Sequence, residues 1–187
     1  LPILNALSST PKKPQQKACR VLVLSPTREL SGQIVESFKD LGRHLRLSIA
    51  LVIGGVPMGR QIRTMQRGSD VLVATPGRLL DLCRSGAVRL NEVDFLVLDE
   101  ADRMLDMGFI HDIRRLVAML PKERQTLFFS ATMPPEIAKL AREMLKDPVT
   151  VAVTPAATTA ERVDQRAIRV DKAGKPALLA EVLRGET

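Results

Sequence analysis

The residues best suited to chemistry are three carboxylates within four positions, Asp99, Glu100 and Asp102, set directly behind the apolar run Phe95-Leu96-Val97-Leu98. A short apolar run without alternation reads as a strand buried on both faces. In an open α/β sheet, ligands bind at the carboxyl ends of the strands. Carboxylates placed there suit a hydrated Mg2+ and a nucleotide phosphate, which need one or two acids, several waters and the phosphate oxygens. The same residues also read as a helix start, with Asp102 as N-cap before Arg103-Met104-Leu105.

Three other strand ends place a hydroxyl near a helix start: Ser25-Pro26-Thr27 before Arg28-Glu29-Leu30, Thr75 before Pro76-Gly77-Arg78, and Ser130-Ala131-Thr132 before Pro134-Pro135-Glu136. Pro76 suits the first helical position, with Thr75 as N-cap. Helix N-termini hold phosphates through unpaired N–H groups and the positive end of the helix dipole. Arg28 and Arg78 follow closely enough to join the same phosphate bidentately. Each joint alone reads first as simple capping; three in one basic chain suggest a row that grips a phosphate backbone. Gly54-Gly55 marks another strand end, either a turn needing positive φ or a close backbone approach. The 187 residues contain no phosphate-cradling G-x-x-x-x-G-K-[ST] loop: before Lys175, Arg169 stands where the first glycine belongs, and Pro176 stands in place of Ser or Thr.

The elements that must position these residues follow from the patterning. Apolar runs at 21–24, 49–53, 71–74, 95–98, 127–129 and 149–153 read as strands, with helical patterns at 28–41, 58–66, 79–84, 109–120 and 135–145. This alternation predicts an α/β fold, a parallel sheet with helices on both faces. The stretch 154–162 lacks periodicity and reads as a linker; 163–170 reads as a strand and 175–184 as a helix, too little to bury a core alone. Apolar residues make up 45% of the chain, which supports a real core. No apolar run approaches the ~20 residues of a membrane span, so no membrane partner is expected. Cys19 and Cys83 lie in apolar segments and read as buried reduced thiols, which fits a cytoplasmic location. Two histidines without clustered cysteines leave no zinc site. The net charge of +7 allows nucleic-acid binding, and the lack of Trp and Tyr argues for a backbone grip over base stacking.

At this point Pro26-Thr27-Arg28-Glu29-Leu30, Gly54-Gly55, Thr75-Pro76-Gly77-Arg78, Asp99-Glu100-Ala101-Asp102 and Ser130-Ala131-Thr132 resemble motifs Ia, GG, Ib, II and III of the DEAD-box RNA helicases, in order and spacing. The run from Val97 to Phe109 resembles the bacterial RhlE-like subgroup. The resemblance implies that residues 1–153 are part of a first RecA-like domain and 163–187 the start of a second. It implies ATP and Mg2+ as cofactors, with Asp99 holding the metal through water and Glu100 orienting or deprotonating the attacking water. It implies that Asp102, Ser130 and Thr132 couple the nucleotide site to the RNA site and the partner domain. Thr27, Arg28, Gly54, Gly55, Thr75, Gly77 and Arg78 would line the RNA backbone path. RNA and the second RecA-like domain are the implied partners, with RNA-decay or ribosome-assembly factors by analogy with RhlE-like proteins.

The resemblance also implies a Q motif and a P-loop before Leu1, since Leu1-Pro2-Ile3-Leu4 is similar to the helix after the P-loop. The chain is therefore expected to be part of a longer protein, with the P-loop strand missing from between the Ser130 strand and 149–153. The 187 residues alone are expected to lack RNA-stimulated ATPase activity. Two alternatives stand beside the helicase: a non-enzymatic RNA-binding module, and a DNA-directed helicase of the same superfamily.

Overall fold

A computed structural model describes residues 1–153 and 167–184. They divide into two compact units, Leu1–Pro148 and Val149–Thr187. The first unit is built on a five-stranded parallel sheet of β1 (Cys19–Leu24), β2 (Ile49–Val52), β3 (Ser69–Ala74), β4 (Phe95–Leu98) and β5 (Gln125–Phe128), in spatial order β2-β3-β1-β4-β5. This is an α/β, RecA-like arrangement, with helices on both faces as the alternation predicts.

The side chains sort by the two-residue period of a strand. Leu22, Leu24, Leu72, Ala74, Leu96 and Leu98 face one layer, made by α3 (Met58–Met65), α4 (Pro76–Arg84), α5 (Ala101–Asp106), α6 (Ile110–Val117) and α7 (Pro135–Met144). Val21, Val23, Val71, Val73 and Val97 face the other, made by α1 (Pro2–Ser9) and α2 (Arg28–Leu41). The central strand β1 is buried throughout and pairs with β3 on one side and β4 on the other, Val21 meeting both Val71 and Phe95. Because the strands are parallel, all five carboxyl ends lie at one end of the sheet. The chain passes from β3 to β4 across β1, so that end is also where the strand order reverses, the place where such sheets bind ligands.

Three expectations need correction. Residues 149–153 form no strand: Val149, Val151 and Val153 are 86–91% exposed, and the segment has no place in the sheet. Its alternating valines carry β propensity, which makes a strand only where a neighbour completes the ladder. Asp102 is not an N-cap; α5 starts at Ala101 with Glu100 as its cap residue. Thr75 occupies the cap position of α4, but its hydroxyl makes no capping hydrogen bond. The linker 154–162, and residues 163–166 of the expected 163–170 strand, lie outside the described residues; 167–170 are not a strand. The expected helix at 175–184 is α8 (Lys175–Arg184). Cys19 is buried and Cys83 half-buried, both free; burial pushes the Cys19 thiol far up and the Cys83 thiol up to about 12, so neither is ionised near neutrality. Among the described residues, no helix is long and apolar enough to cross a membrane.

Candidate functional site

The carboxyl ends of β1, β2 and β3 converge on a groove of about 390 Å3 lined by Thr27, Arg28, Gly54, Thr75, Gly77 and Arg78, with Met107 and Phe109 on its far wall. These are six of the seven residues expected on a backbone path. The seventh, Gly55, lies directly under the Arg28 guanidinium: a Cβ built at Gly55 would collide with it, and the φ of +72° independently favours glycine. Gly54 and Gly77 have no such demand, since a Cβ at either would make only ordinary contacts of 3.8 Å or more.

Local structure explains why the groove keeps its shape. Thr27 caps α2, its Oγ1 accepting from Leu30 N at 3.2 Å. Beneath it a buried relay runs from the Ser25 hydroxyl to Ser31 Oγ at 2.6 Å, and on from Ser31 Oγ to the Thr27 carbonyl at 2.8 Å. Arg78 Nη1 donates to the Val56 carbonyl at 2.6 Å, which ties the start of α4 to the turn after β2. That turn is itself held by Gln61 of α3, which is only 4% exposed. Gln61 Oε1 accepts from Ile53 N at 3.1 Å, and Gln61 Nε2 donates to the carbonyls of Ile53 at 3.0 Å and Val56 at 3.3 Å. Gln61 escaped the sequence reading because a glutamine at a buried helical position carries no motif. Its one signal was a polar residue on the apolar side of the 58–66 helix.

A second cluster joins the first turn of α5 to the segment after β5. The Asp102 carboxylate accepts from Thr132 N at 2.8 Å and from Thr132 Oγ1 at 2.7 Å through Oδ2, while Oδ1 accepts from Arg103 N at 3.0 Å. Asp102 N in turn donates to Ser130 Oγ at 3.1 Å, and Ser130 Oγ donates to the Thr132 carbonyl at 2.8 Å. The Thr132 hydroxyl is the main cause that holds Asp102 below the usual carboxylate range; burial opposes it, and the Thr132 N–H, Arg103 N–H and Ser130 bonds add to the lowering. The structure thus brings Asp102, Ser130 and Thr132 together as expected. It also shows that these hydroxyls serve the Asp102 link and do not cap α7.

Asp99 and Glu100 diverge. Asp99 lines a cavity of about 470 Å3 between α1, α2 and the sheet, walled mainly by apolar residues such as Leu4, Phe38 and Leu127. Among the described residues, only the Glu100 N–H, at 3.1 Å, donates to its carboxylate. Burial is the main push that raises Asp99 above the usual carboxylate range; the Glu100 N–H pulls it down and the Glu100 carboxylate pushes it up. A half-buried carboxylate with so little compensation fits a cation, and hydrated Mg2+ asks for one or two protein carboxylates. Glu100 turns away from that cavity and pairs with Arg103 Nη1 at 3.2 Å. Its backbone is left-handed, φ 51° and ψ 53°, at a cost of about 1–3 kcal/mol for a non-glycine residue. Flanking bonds impose it: Asp99 N to Leu24 O, Ala101 N to Phe129 O and Met104 N to Glu100 O, each 3.0 Å. This strained turn separates the two acids onto different sides of the strand end, which spacing alone does not show.

Residues 1–140 match the family described as DEAD/DEAH box helicase. Among similar proteins, the ATP-dependent RNA helicase DBP2 of Candida glabrata is 50% identical over 133 residues, 71% of this chain and 24% of that protein. The RNA helicase CrhR of Synechocystis is 43% identical over 153 residues, 82% of this chain and 31% of that protein. Among solved structures, the yeast DEAD-box splicing factor Prp28 aligns with a TM-score of 0.72 at 32% identity, covering 78% of this chain and 35% of that one. A hypothetical ATP-dependent RNA helicase from Sulfolobus tokodaii aligns with a TM-score of 0.65 at 41% identity, covering 69% and 39%. The chain therefore spans about a quarter to a third of the length of the relatives it matches.

Proposed function

The chain belongs to the DEAD/DEAH box helicase family, and from that premise we propose that it forms part of the first RecA-like domain of an ATP-dependent RNA helicase. The observation that carries the reading is the single groove that gathers Thr27, Arg28, Gly54, Thr75, Gly77 and Arg78 at three neighbouring strand ends. Two helix N-termini and two guanidinium groups meet there, a donor set for successive phosphates of one strand. Phe109 is the one aromatic side chain in the groove lining, against two guanidinium groups and two helix N-termini, a balance that favours a grip on backbone and 2′-OH over base stacking.

ATP with Mg2+ would supply the phosphoryl group to be transferred and the positive charge that offsets its oxygens. In this chain Asp99 would hold the metal through water, and Glu100 would orient or deprotonate the attacking water. For that, the Glu100 carboxylate must leave Arg103; an exposed ion pair of this kind is worth only about 0.2–1 kcal/mol, so it opens readily. Asp102, Ser130 and Thr132 form the rigid link between the nucleotide carboxylates and the segment that leads to the partner domain. The proposed enzyme also needs a P-loop, the remainder of the second RecA-like domain that residues 163–187 would begin, and its arginine fingers, none of which these 187 residues supply. Placement in the bacterial RhlE-like subgroup rests on the run from Val97 to Phe109, RNA-decay or ribosome-assembly partners follow only by analogy with that subgroup, and a cytoplasmic location rests on the two free thiols.

ATP hydrolysis by the full protein, measured with RNA or with DNA of the same sequence, tests the reading. Stimulation by RNA and not by DNA is expected. Stimulation by DNA alone, or by neither, overturns it.

A further inference from the structure

The positive charge of this chain is not concentrated where the motifs are. The groove at the carboxyl ends of β1–β3 is lined by Arg28 and Arg78 against Glu29. At the amino-terminal ends of the same three strands lies a larger cavity, about 630 Å3, lined by Lys12, Lys13, Arg20, Arg46 and Arg67 with Asp70 as the only carboxylate. Arg20, 4% exposed, forms its floor, bonded to Asp94 at 3.2 Å and to Thr10 Oγ1 at 3.2 Å. Asp70 is spent on the β2–β3 join, accepting from Ser48 N at 2.8 Å and Ser48 Oγ at 2.7 Å. Lys12 is 3.9 Å from Glu92. Lys13, Arg46 and Arg67 are exposed and have no acidic partner among the described residues. Like charges around a concavity repel unless an anion joins them.

The two ends are connected by α3. The chain leaves β2 at the motif end and enters β3 at the opposite end, so α3 must run down between them. Residues 58–68 contain Arg60, Arg63 and Arg67 and no acid. Arg60 and Arg63 are three apart on one helical face, both exposed, and Arg67 follows in the turn that reaches the basic cavity.

The geometry points to a second phosphate-binding track: RNA leaving the groove at Gly54 runs along the Arg60–Arg63–Arg67 stripe to the basic cavity at the foot of β1–β3. The occupant is a phosphate backbone and not an acidic protein. Five cationic side chains against one carboxylate already engaged by Ser48 give the lining a charge complementary to a phosphate backbone, and its apolar members Leu7, Leu45 and Leu47 are buried or half-buried and offer no fully exposed large hydrophobic anchor. The six residues of β1 or β3 separate the two ends by about 20 Å. A strand that holds the groove must therefore extend several nucleotides further to reach the cavity. The inference rests on the RNA reading of the groove.

The test compares the full protein with the variant R46Q/R63Q/R67Q, using an RNA of about 5 nucleotides and one of about 24, titrated between about 0.05 and 0.2 M salt. Wild type should bind the long RNA with the steeper salt slope. The variant should keep its affinity for the short RNA and lose ten- to hundredfold on the long one, with the slope reduced by about 2, at 0.7 per single-strand contact. The variant R46K/R63K/R67K, which keeps the charge, should restore both; a loss equal to that of the Gln variant would mean altered folding and overturn the track. An unchanged slope and affinity for the long RNA in the Gln variant also overturns it, as does loss of polyglutamate binding with RNA binding intact. Arg78→Ala is the separate control on the groove: if it leaves the short RNA unaffected, the groove reading fails, while the long-RNA comparison still decides the track.

Discussion

Gln61→Leu isolates the residue that holds the groove without touching ligand. The substitution keeps the buried volume and removes three hydrogen bonds, one from Ile53 N and one each to the carbonyls of Ile53 and Val56. At about 0.5–1.5 kcal/mol net for each bond, the loss is about 2–4 kcal/mol, and the half-buried partners, which water can partly reach, set it toward the lower end. For a unit of this size that is a fall in Tm of about 4–12 °C. The functional effect follows from the shared acceptor, since Val56 O also receives Arg78 Nη1 at 2.6 Å. Releasing Val56 frees Arg78, so affinity for a short RNA should drop in parallel with that of Arg78→Ala. Gln61→Glu keeps the acceptor for Ile53 N but points an oxygen at two carbonyls, and should be at least as harmful. Thermal melting and RNA titration on the same samples provide the assay. A Tm within about 2 °C of wild type with unchanged RNA affinity would refute the positioning role.

The depressed Asp102 carboxyl makes part of the stability depend on pH. Its contribution is present above the ordinary value of 3.8 and is lost as pH falls through its own lower value. In urea melts, wild type should therefore exceed Asp102→Asn near neutral pH and the gap should narrow below about pH 4; a gap constant with pH would contradict this. Gly55→Ala should cost about 1–2 kcal/mol for its left-handed backbone and displace Arg28, lowering both Tm and RNA affinity, whereas Gly54→Ala should leave stability nearly unchanged. Equal effects of the two would show that the Arg28 contact is unimportant. The 187 residues by themselves, which contain no P-loop lysine, should show no RNA-stimulated ATPase; a clear signal abolished by Glu100→Gln would contradict the dependence on the missing half.

The legible and illegible parts of this protein divide by range along the chain. Val21-Leu22-Val23-Leu24 and Phe95-Leu96-Val97-Leu98 signal buried strands locally, and the hydroxyl–Arg joints at 27–28 and 75–78 signal helix starts, so fold class and groove both follow from short windows. Tertiary context decided the rest. The Gln61 bonds, the Arg78–Val56 tether and the Asp102–Thr132 bridge link residues 5 to 30 positions apart that no periodicity connects. The left-handed turn at Glu100 is imposed by bonds from its neighbours to Leu24, on β1, and to Phe129, just past β5. At 149–153, three alternating valines gave a strand pattern, yet propensity without a paired neighbour made none. The arginines of α3 were visible as letters, but their meaning depends on which end of the sheet each reaches.

The central proposal is a division of labour in which Asp99 and Glu100 at the end of β4 would serve the nucleotide and the β1–β3 groove would serve RNA. Glu100→Gln in the full protein measures it. RNA-stimulated ATP hydrolysis should fall by at least about a hundredfold, the scale of a lost general base, while RNA binding in the presence of ATP and Mg2+ is retained. Hydrolysis that persists near the wild-type rate, or RNA binding lost together with hydrolysis, would contradict the assignment.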